Sequence, residues 1–222
     1  MNIKEIYLSN LLIQGALTFP EKKVLPIISM SEIQIGNIIV DHLELDIKNR
    51  ANSMSFMARN TNGKVFGLHI SKQDTISLKI IDSLDFKSEQ LVSISPDSLY
   101  TFKASGVNGK ANSLNINNFS LQPNYNNYDF SAIHKYQTDR YEAEFNKILL
   151  HNFSPADFIK TGELRSSYIE IGELNLKAFR DNRKKIHRVN LLPFQDLIYN
   201  YPRALNIDSI GILKGQINKG KK

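Results

Sequence analysis

Residues 169–176 have the sequence Ile-Glu-Ile-Gly-Glu-Leu-Asn-Leu. Apolar residues alternate at positions 169 and 171 and again at 174 and 176, with Gly172 and Glu173 between the two pairs. Side chains of a β-strand alternate between its two faces, so one extra residue would turn the second pair to the opposite face. A β-bulge absorbs the extra residue and keeps both pairs on one face. The stretch therefore predicts a bulged strand with one apolar face.

The same pattern recurs along the chain, and its connecting pair is often built from Gly, Asn, Ser or Asp, as in Gly36-Asn37 and Asn117-Asn118. A helical stripe is the alternative, because the pattern partly overlaps a helix face. The richness in Ile and the scarcity of helix signals favour strands. The copies are Ile6, Leu8, Leu11 and Ile13; Ile33, Ile35, Ile38 and Val40; Leu114, Ile116, Phe119 and Leu121; Ala143, Phe145, Ile148 and Leu150; Ile169, Ile171, Leu174 and Leu176; and Leu205, Ile207, Ile210 and Ile212.

Segments between the copies add strands and two helices to this picture. We expect strands at 75–81 and 100–105, a turn at 107–109, and a strand pair formed by 129–135 and 140–145. Residues 54–59 and 65–71 flank Asn62-Gly63, a sequence typical of a tight hairpin turn. Ser154 as N-cap, Pro155 and the stop at Gly162 predict a short helix, and a second starts at Pro193 and runs over 193–200.

The fold class that follows is mainly β. We expect a long curled antiparallel sheet, groove-like or β-solenoid-like, with one or two short helices in a single β-rich domain over residues 1–222. A sheet with one apolar face must cover that face. The cover can be its own helices, another sheet, or acyl chains.

Composition and motifs give no sign of catalysis. The chain of 222 residues has no Cys, which excludes disulfides, thiolate metal sites and Cys nucleophiles. It has no Gly-rich phosphate loop, and its five histidines do not show the spacing of metal ligands. An enzyme needs convergent polar groups. We therefore expect a non-enzyme without catalytic residues, metal ligands or cofactor.

One basic run stands out, within a net charge of +6. Residues 179–188 are Phe-Arg-Asp-Asn-Arg-Lys-Lys-Ile-His-Arg. The candidates for contact with an anion, such as a lipid headgroup, are Arg180, Arg183, Lys184, Lys185 and Arg188. The alternative is a solvated loop or hairpin tip. Nucleic acid would require aromatic residues interleaved with the basic ones, and only Phe179 is adjacent, so we expect no nucleic-acid partner.

The stretch 169–184 resembles a unit of AsmA-like proteins, especially large ones from Bacteroidetes. In that unit a strand of the form L-x-I-x-x-L-x-L leads into an aromatic-Arg-Asp-x-[Lys/Arg] turn, a Pro-bearing helix, and another strand of the same type. The order is kept here by Phe179-Arg180-Asp181-Asn182-Arg183, then 193–201, then 204–217. Residues 119–123, 129–130 and 137–140 are also similar. The resemblance is clearest over 100–218 and looser over 1–99.

This resemblance implies a function in the cell envelope. AsmA-like and TamB-like proteins are similar in architecture to bridge-like lipid-transfer proteins, with long curled sheets whose concave face is apolar. They are anchored in the inner membrane, extend into the periplasm, and carry phospholipid toward the outer membrane or support its assembly. The N-terminus here has no membrane helix, so we expect a fragment of a longer chain or a truncated paralogue. The alternative is a structural or interaction module that binds no lipid.

The partners implied are phospholipid acyl chains, and beyond them other envelope proteins or the rest of the same chain. The residues expected to line the lipid groove are Ile33, Ile35, Ile38, Val40, Leu114, Ile116, Phe119, Leu121, Phe145, Ile148, Ile169, Ile171, Leu174, Leu176, Leu205, Ile207, Ile210 and Ile212.

Overall fold

The structure is a computed structural model that describes residues 2–17, 32–49, 54–71, 81–186 and 204–221. Strands dominate, and two short helices accompany them, α1 (Asn127–Ile133) and α2 (Pro155–Thr161). The strands are β1 (Asn2–Ser9), β2 (Leu12–Leu17), β3 (Glu32–Asn49), β4 (Ser55–Ser71), β5 (Ser83–Ile94), β6 (Tyr100–Lys110), β7 (Ser113–Pro123), β8 (Asp139–Phe145), β9 (Ile148–His151), β10 (Glu163–Arg180) and β11 (Ala204–Lys221). The predicted mainly β fold with short helices is confirmed.

All eleven strands belong to one sheet in the order β1-β3-β4-β5-β6-β7-β8-β10-β11. Strands β1 and β2 pair in succession with β3, while β8 and β9 lie in succession between β7 and β10. The strands from β3 to β10 pair antiparallel, as expected. The outermost strands, β1 with β2 and β11, run parallel to their neighbours, which makes the sheet mixed.

The strand pairing is interrupted at the same level across the sheet. We call this level the bulge row. Two of its residues, Asn60 and Gly106, have positive φ angles of 45° and 59°. On β3 the register shifts at the same level, around Leu43. An irregularity repeated on successive strands bends the sheet along one line. The row consists of Asn60, Glu89, Gly106, Asn117, Lys147, Gly172 and Leu213.

The bulge row keeps the apolar side chains on one face of the sheet and the polar side chains on the other. A Cβ placed on Gly172 would lie 2.5 Å from Asn146 Oδ1, which is one level further along the strands. Consecutive residues, Asn117 with Asn118 and Asn146 with Lys147, line one surface depression. Two successive residues therefore point to the same side, and alternation restarts beyond them. This is the geometry that the two-residue spacer of the sequence pattern predicts.

Helix α2 has the caps that the sequence predicts. The Ser154 Oγ accepts a hydrogen bond from the Asp157 N–H at 3.1 Å, and Gly162 closes the helix in the left-handed conformation. The predicted strand over 129–135 is wrong, because α1 covers most of it. Asn126 caps α1 by accepting from the N–H groups of Tyr128 and Asp129, both at 3.0 Å. This N-cap outweighs the local apolar alternation.

Two predicted turns are also wrong. Strand β4 is continuous through Asn62-Gly63, because Gly63 pairs with Val40 on one side and Phe86 on the other. Strand β6 continues through 107–109 and turns at Ala111-Asn112 instead. The predicted strand at 75–81 lies outside the described residues except for Ile81, and the predicted helix at 193–200 lies wholly outside them.

Glycines on one apolar row make room for an aromatic ring. Gly109 lies directly opposite Phe86, and a Cβ on Gly109 would be 2.2 Å from that ring. We expect Gly109→Ala to lower the free energy of unfolding by about 1–2 kcal/mol, because the ring must move within a packed face. Urea denaturation followed by circular dichroism measures it. Gly15→Ala is the matched control, since nothing lies within 4 Å of its Cβ position. Equal stability of the two variants would contradict the packing of Phe86 over Gly109.

Candidate apolar face for ligand binding

Directly paired residues of neighbouring strands share a face, so the register defines rows that cross the whole sheet. On one side of the bulge row, an unbroken apolar row runs from β2 to β10. It consists of Ile13, Leu45, Ala58, Leu91, Ala104, Phe119, Phe145 and Leu174. On the other side, a second row consists of Leu8, Val40, Gly63, Phe86, Gly109, Leu114, Leu150, Ile169 and Ile210. We call the surface that carries both rows the apolar face.

The opposite surface, the polar face, carries charged and amide side chains. Its ion pairs join neighbouring strands, as in Lys177 with Glu142 at 2.9 Å and Lys214 with Glu173 at 3.2 Å. Such exposed pairs contribute little stability each. Together, these charged groups identify the polar face as the side of the sheet that faces water.

The predicted groove residues fall on the apolar face. Val40, Leu114, Phe119, Phe145, Ile169, Leu174 and Ile210 are members of the two rows above. Ile116, Ile148, Ile171 and Ile212 pair with one another beside the bulge row, and Leu121 pairs through Ala143 to Leu176. Toward the strand starts, Ile33, Ile35 and Ile38 pair with Ile70, Leu68 and Val65, while Leu205 and Ile207 pair with Leu164 and Ser166.

Burial varies systematically across the apolar face. Small residues on the central strands, such as Ala104 and Val107, are almost fully buried. Toward β11 the same face is open, with Ile212 at 50% and Ile217 at 69% exposure. Ile13 and Leu8 on the opposite outer strands are also exposed. Large apolar side chains thus meet solvent at both outer margins of the described sheet.

Each helix occupies one end of the central strands. Phe130 of α1 is 2% exposed and packs with Tyr100, Leu121 and Ala143, which lie near one end of the apolar face. Its ring meets Tyr100 edge-on, with centroids 5.6 Å apart. Helix α2 contacts β5 and β10 beyond the turn that joins β6 to β7. Between the helices, Phe119 and Phe145 form an edge-on pair with centroids 5.6 Å apart.

Three strands of the apolar face do not match the apolar pattern found in the sequence. Strands β4, β5 and β6 follow the same spacing, but small residues replace some of the large apolar ones. The clearest case is β6, with Phe102, Ala104, Val107 and Gly109 at the four positions. These strands fit the pattern when Ala, Gly, Ser and Thr are also allowed at its apolar positions. Ala and Gly fit there because Phe119 and Phe86 fill the space above them.

Three candidates for anion contact in the basic run, Arg180, Arg183 and Lys184, have partners within the protein. Arg180 forms a two-pronged ion pair with Asp139, and the Arg183 guanidinium binds Asp181 at 2.7 and 2.8 Å. The Lys184 ammonium donates to carbonyl groups at the C-terminal end of α1.

These contacts join the end of β10 to β8 and α1, and the Arg183 side chain remains 66% exposed. Of the other two candidates, Lys185 is exposed and Arg188 lies outside the described residues.

The carboxylates that receive these cations have shifted pKa values. Burial raises the pKa of Asp139, but hydrogen bonds from Arg180 and Tyr141 and the Arg180 charge outweigh it, so the net pKa lies below the ordinary value. The Arg183 hydrogen bond holds the pKa of Asp181 well below its usual range against the effect of burial. Burial, followed by the Asp139 charge, raises the pKa of Tyr141 to about 12. The stability of this end of the sheet thus depends on a network of ionised groups.

No group of three or more His, Asp or Glu residues in the part of the chain that the structure describes could hold a metal ion. None of the helices within the described ranges combines the length and apolar character needed to cross a membrane.

Comparison with known proteins adds no relative. No protein-family model, no curated protein and no solved structure matches the chain.

Proposed function

We propose that the apolar face holds the acyl chains of phospholipids, and that the protein binds or conducts lipid between membranes of the cell envelope without catalysis. The observation that supports this is the pair of apolar rows that cross the sheet with no charged residue in them. The periplasmic location and the link to outer-membrane assembly rest on the resemblance to AsmA-like proteins alone.

The rows favour one orientation of the bound chains. Along the central strands, α1 covers one end of the apolar face, and α2 contacts β5 and β10 near the other end of the strands. Across the strands, the two rows together reach both outer margins, where Ile13 and Ile210 are exposed. Acyl chains that lie across the strands would remain on apolar side chains throughout. Lipid movement in this proposal therefore runs from one sheet edge toward the other.

Burial of hydrocarbon is a sufficient driving force. Each CH₂ group removed from water contributes about 0.8 kcal/mol. A phospholipid with two long tails therefore needs no specific polar contact to bind, and the headgroup can stay in solvent.

Acidic substitutions on the open margin provide the test. We expect Ile212→Asp with Ile217→Asp to weaken binding of a fluorescent phosphatidylethanolamine by about tenfold or more, because charge at an acyl contact is costly. Both side chains are at least half exposed, so the fold should tolerate the change. Fluorescence titration measures binding, and native mass spectrometry detects lipid that co-purifies with the wild-type chain.

Asn218→Asp is the matched control, because it adds an acidic group to the polar face of the same strand. It should bind lipid as the wild type does. Equal weakening by Asn218→Asp and by the double variant would contradict the proposal, as would a wild-type chain that binds no phospholipid.

A second candidate function is an interaction module that uses its sheet edges. In the described sheet, β1 with β2 forms one outer row and β11 the other, and each presents an unpaired edge. Unpaired edges are templates for strand addition from another chain. This candidate predicts concentration-dependent association in light scattering, with no lipid bound. Association that persists in the Ile212→Asp, Ile217→Asp double variant would favour the edge over the apolar face as the contact.

A further inference from the structure

The polar face carries a groove that the lipid proposal does not use. It has a volume of about 580 Å³, within the range of small-ligand sites. It extends from β5 to β11 beside the bulge row and is open to solvent along its length. Its polar lining consists of Gln90, Lys103, Ser105, Asn118, Ser120, Gln122, Glu144, Asn146, Glu173, Asn175, Lys214 and Gln216.

A ladder of polar side chains forms the centre of this groove. Its members lie directly opposite one another on five neighbouring strands, β6, β7, β8, β10 and β11. They are Lys103, Ser120, Glu144, Asn175 and Gln216. Neighbouring strands are about 4.8 Å apart, so the ladder offers one polar group at each such interval.

The ladder differs in its hydrogen bonding from the ion pairs beside it. Next to it, Lys177 bonds to Glu142 and Lys214 to Glu173. In the ladder, none of the five side chains forms a hydrogen bond with another described residue. The side-chain oxygen of Asn175 is buried as well as unpartnered. A buried acceptor without a donor costs free energy, which a ligand hydroxyl could recover.

The charges of the groove balance. Lys103 and Lys214 are matched by Glu144 and Glu173, so neither an anion nor a cation has a net advantage. Amide and hydroxyl groups supply both donors and acceptors. A linear chain of sugar rings presents hydroxyls on both edges and advances by a similar distance per ring as the sheet does per strand. We propose that this polar groove binds an uncharged, linear oligosaccharide that runs across the strands, independently of any lipid on the apolar face.

Titration with a neutral sugar hexamer tests this inference. Cellohexaose added to the isotopically labelled chain should shift amide NMR resonances of β6 to β11 around the ladder, while glucose at the same concentration should not. Asn175→Leu should weaken the hexamer's affinity by about tenfold, because it removes the amide at the centre of the ladder. Asn218→Leu makes the same substitution on the same face outside the groove and should leave affinity unchanged.

The inference is overturned if the hexamer causes no shifts, or if Asn175→Leu and Asn218→Leu bind it equally. Preference for an oligogalacturonate hexamer over cellohexaose would also overturn it, since charge would then determine binding. If Asn175→Leu does not fold, Gln216→Ala on the exposed outer strand replaces it, with weaker hexamer binding expected and unchanged binding counting against the groove.

Discussion

Phe130→Ala should lower the free energy of unfolding by about 3–5 kcal/mol, the largest effect that we expect from any single substitution. The ring is 2% exposed and is the largest fully buried side chain among the described residues. It connects α1 to the apolar face through Tyr100, Leu121 and Ala143. Truncation removes both the buried ring and the edge-on contact with Tyr100, and a short helix cannot collapse into the space. Urea denaturation followed by circular dichroism measures the loss.

Ile133→Ala in the same helix is the control for this effect. Its side chain is 51% exposed, so the change should stay within about 0.5 kcal/mol. If both variants lost similar stability, burial of the Phe130 ring would not be the cause, and helix propensity would not be either, because Ala is the best helix former. The assignment of α1 as the cover for one end of the apolar face would then be wrong.

The sheet could be predicted from the sequence because its pattern is local. The spacing of Ile169, Ile171, Leu174 and Leu176 contains the bulge, and the structure places that bulge at Gly172. The same spacing placed the groove candidates on one face without any knowledge of which strands are neighbours. The face to which each side chain points follows from the alternation within its own strand, and this alternation can be read from a single segment of sequence.

Strand order and direction could not be predicted in the same way. The parallel pairing of β10 with β11, and of β1 and β2 with β3, depends on connections between distant segments. The hairpin signal at Asn62-Gly63 failed for a related reason. Gly63 lies inside a paired strand, where a Cβ would approach the Asp85 carbonyl oxygen at 3.3 Å. A glycine inside a strand cannot be told from a glycine in a turn by its own identity.

The basic run shows the limit for surface predictions. Its cations looked available because the sequence places only Asp181 among them. The fold brings Asp139 directly opposite Arg180 across β8 and β10, and it brings α1 within reach of Lys184. These partners are about 40 to 50 residues away along the chain. A local charge count therefore overestimates what remains free for a ligand.

Asp139→Asn should show how far this charged network stabilises the fold. Asp139 is 9% exposed and accepts hydrogen bonds from Arg180 and from the Tyr141 hydroxyl, the latter at 3.1 Å. Loss of its charge leaves the Arg180 guanidinium without a counterion at a partly buried position. We expect a loss of about 1.5–3 kcal/mol at pH 7, the range for hydrogen bonds to charged groups. Urea denaturation of variant and wild type gives the difference.

The pH dependence separates this charge effect from a packing effect. Because the pKa of Asp139 is lower in the folded state, the unfolded chain binds a proton first as pH falls below about 4. The stabilisation by Asp139 is therefore complete above that pH and is lost as pH falls through the folded pKa. The difference between wild type and Asp139→Asn should be constant from pH 7 to 5 and should narrow toward pH 2.

Asp208→Asn is the control, since no hydrogen bond or ion pair joins this exposed side chain to a described residue. It should leave stability unchanged at every pH in this range. A difference for Asp139→Asn that stays the same down to pH 2 would mean that packing, and not the ion pair with Arg180, stabilises this end of the sheet. The assignment of Arg180 as a structural cation would then fail.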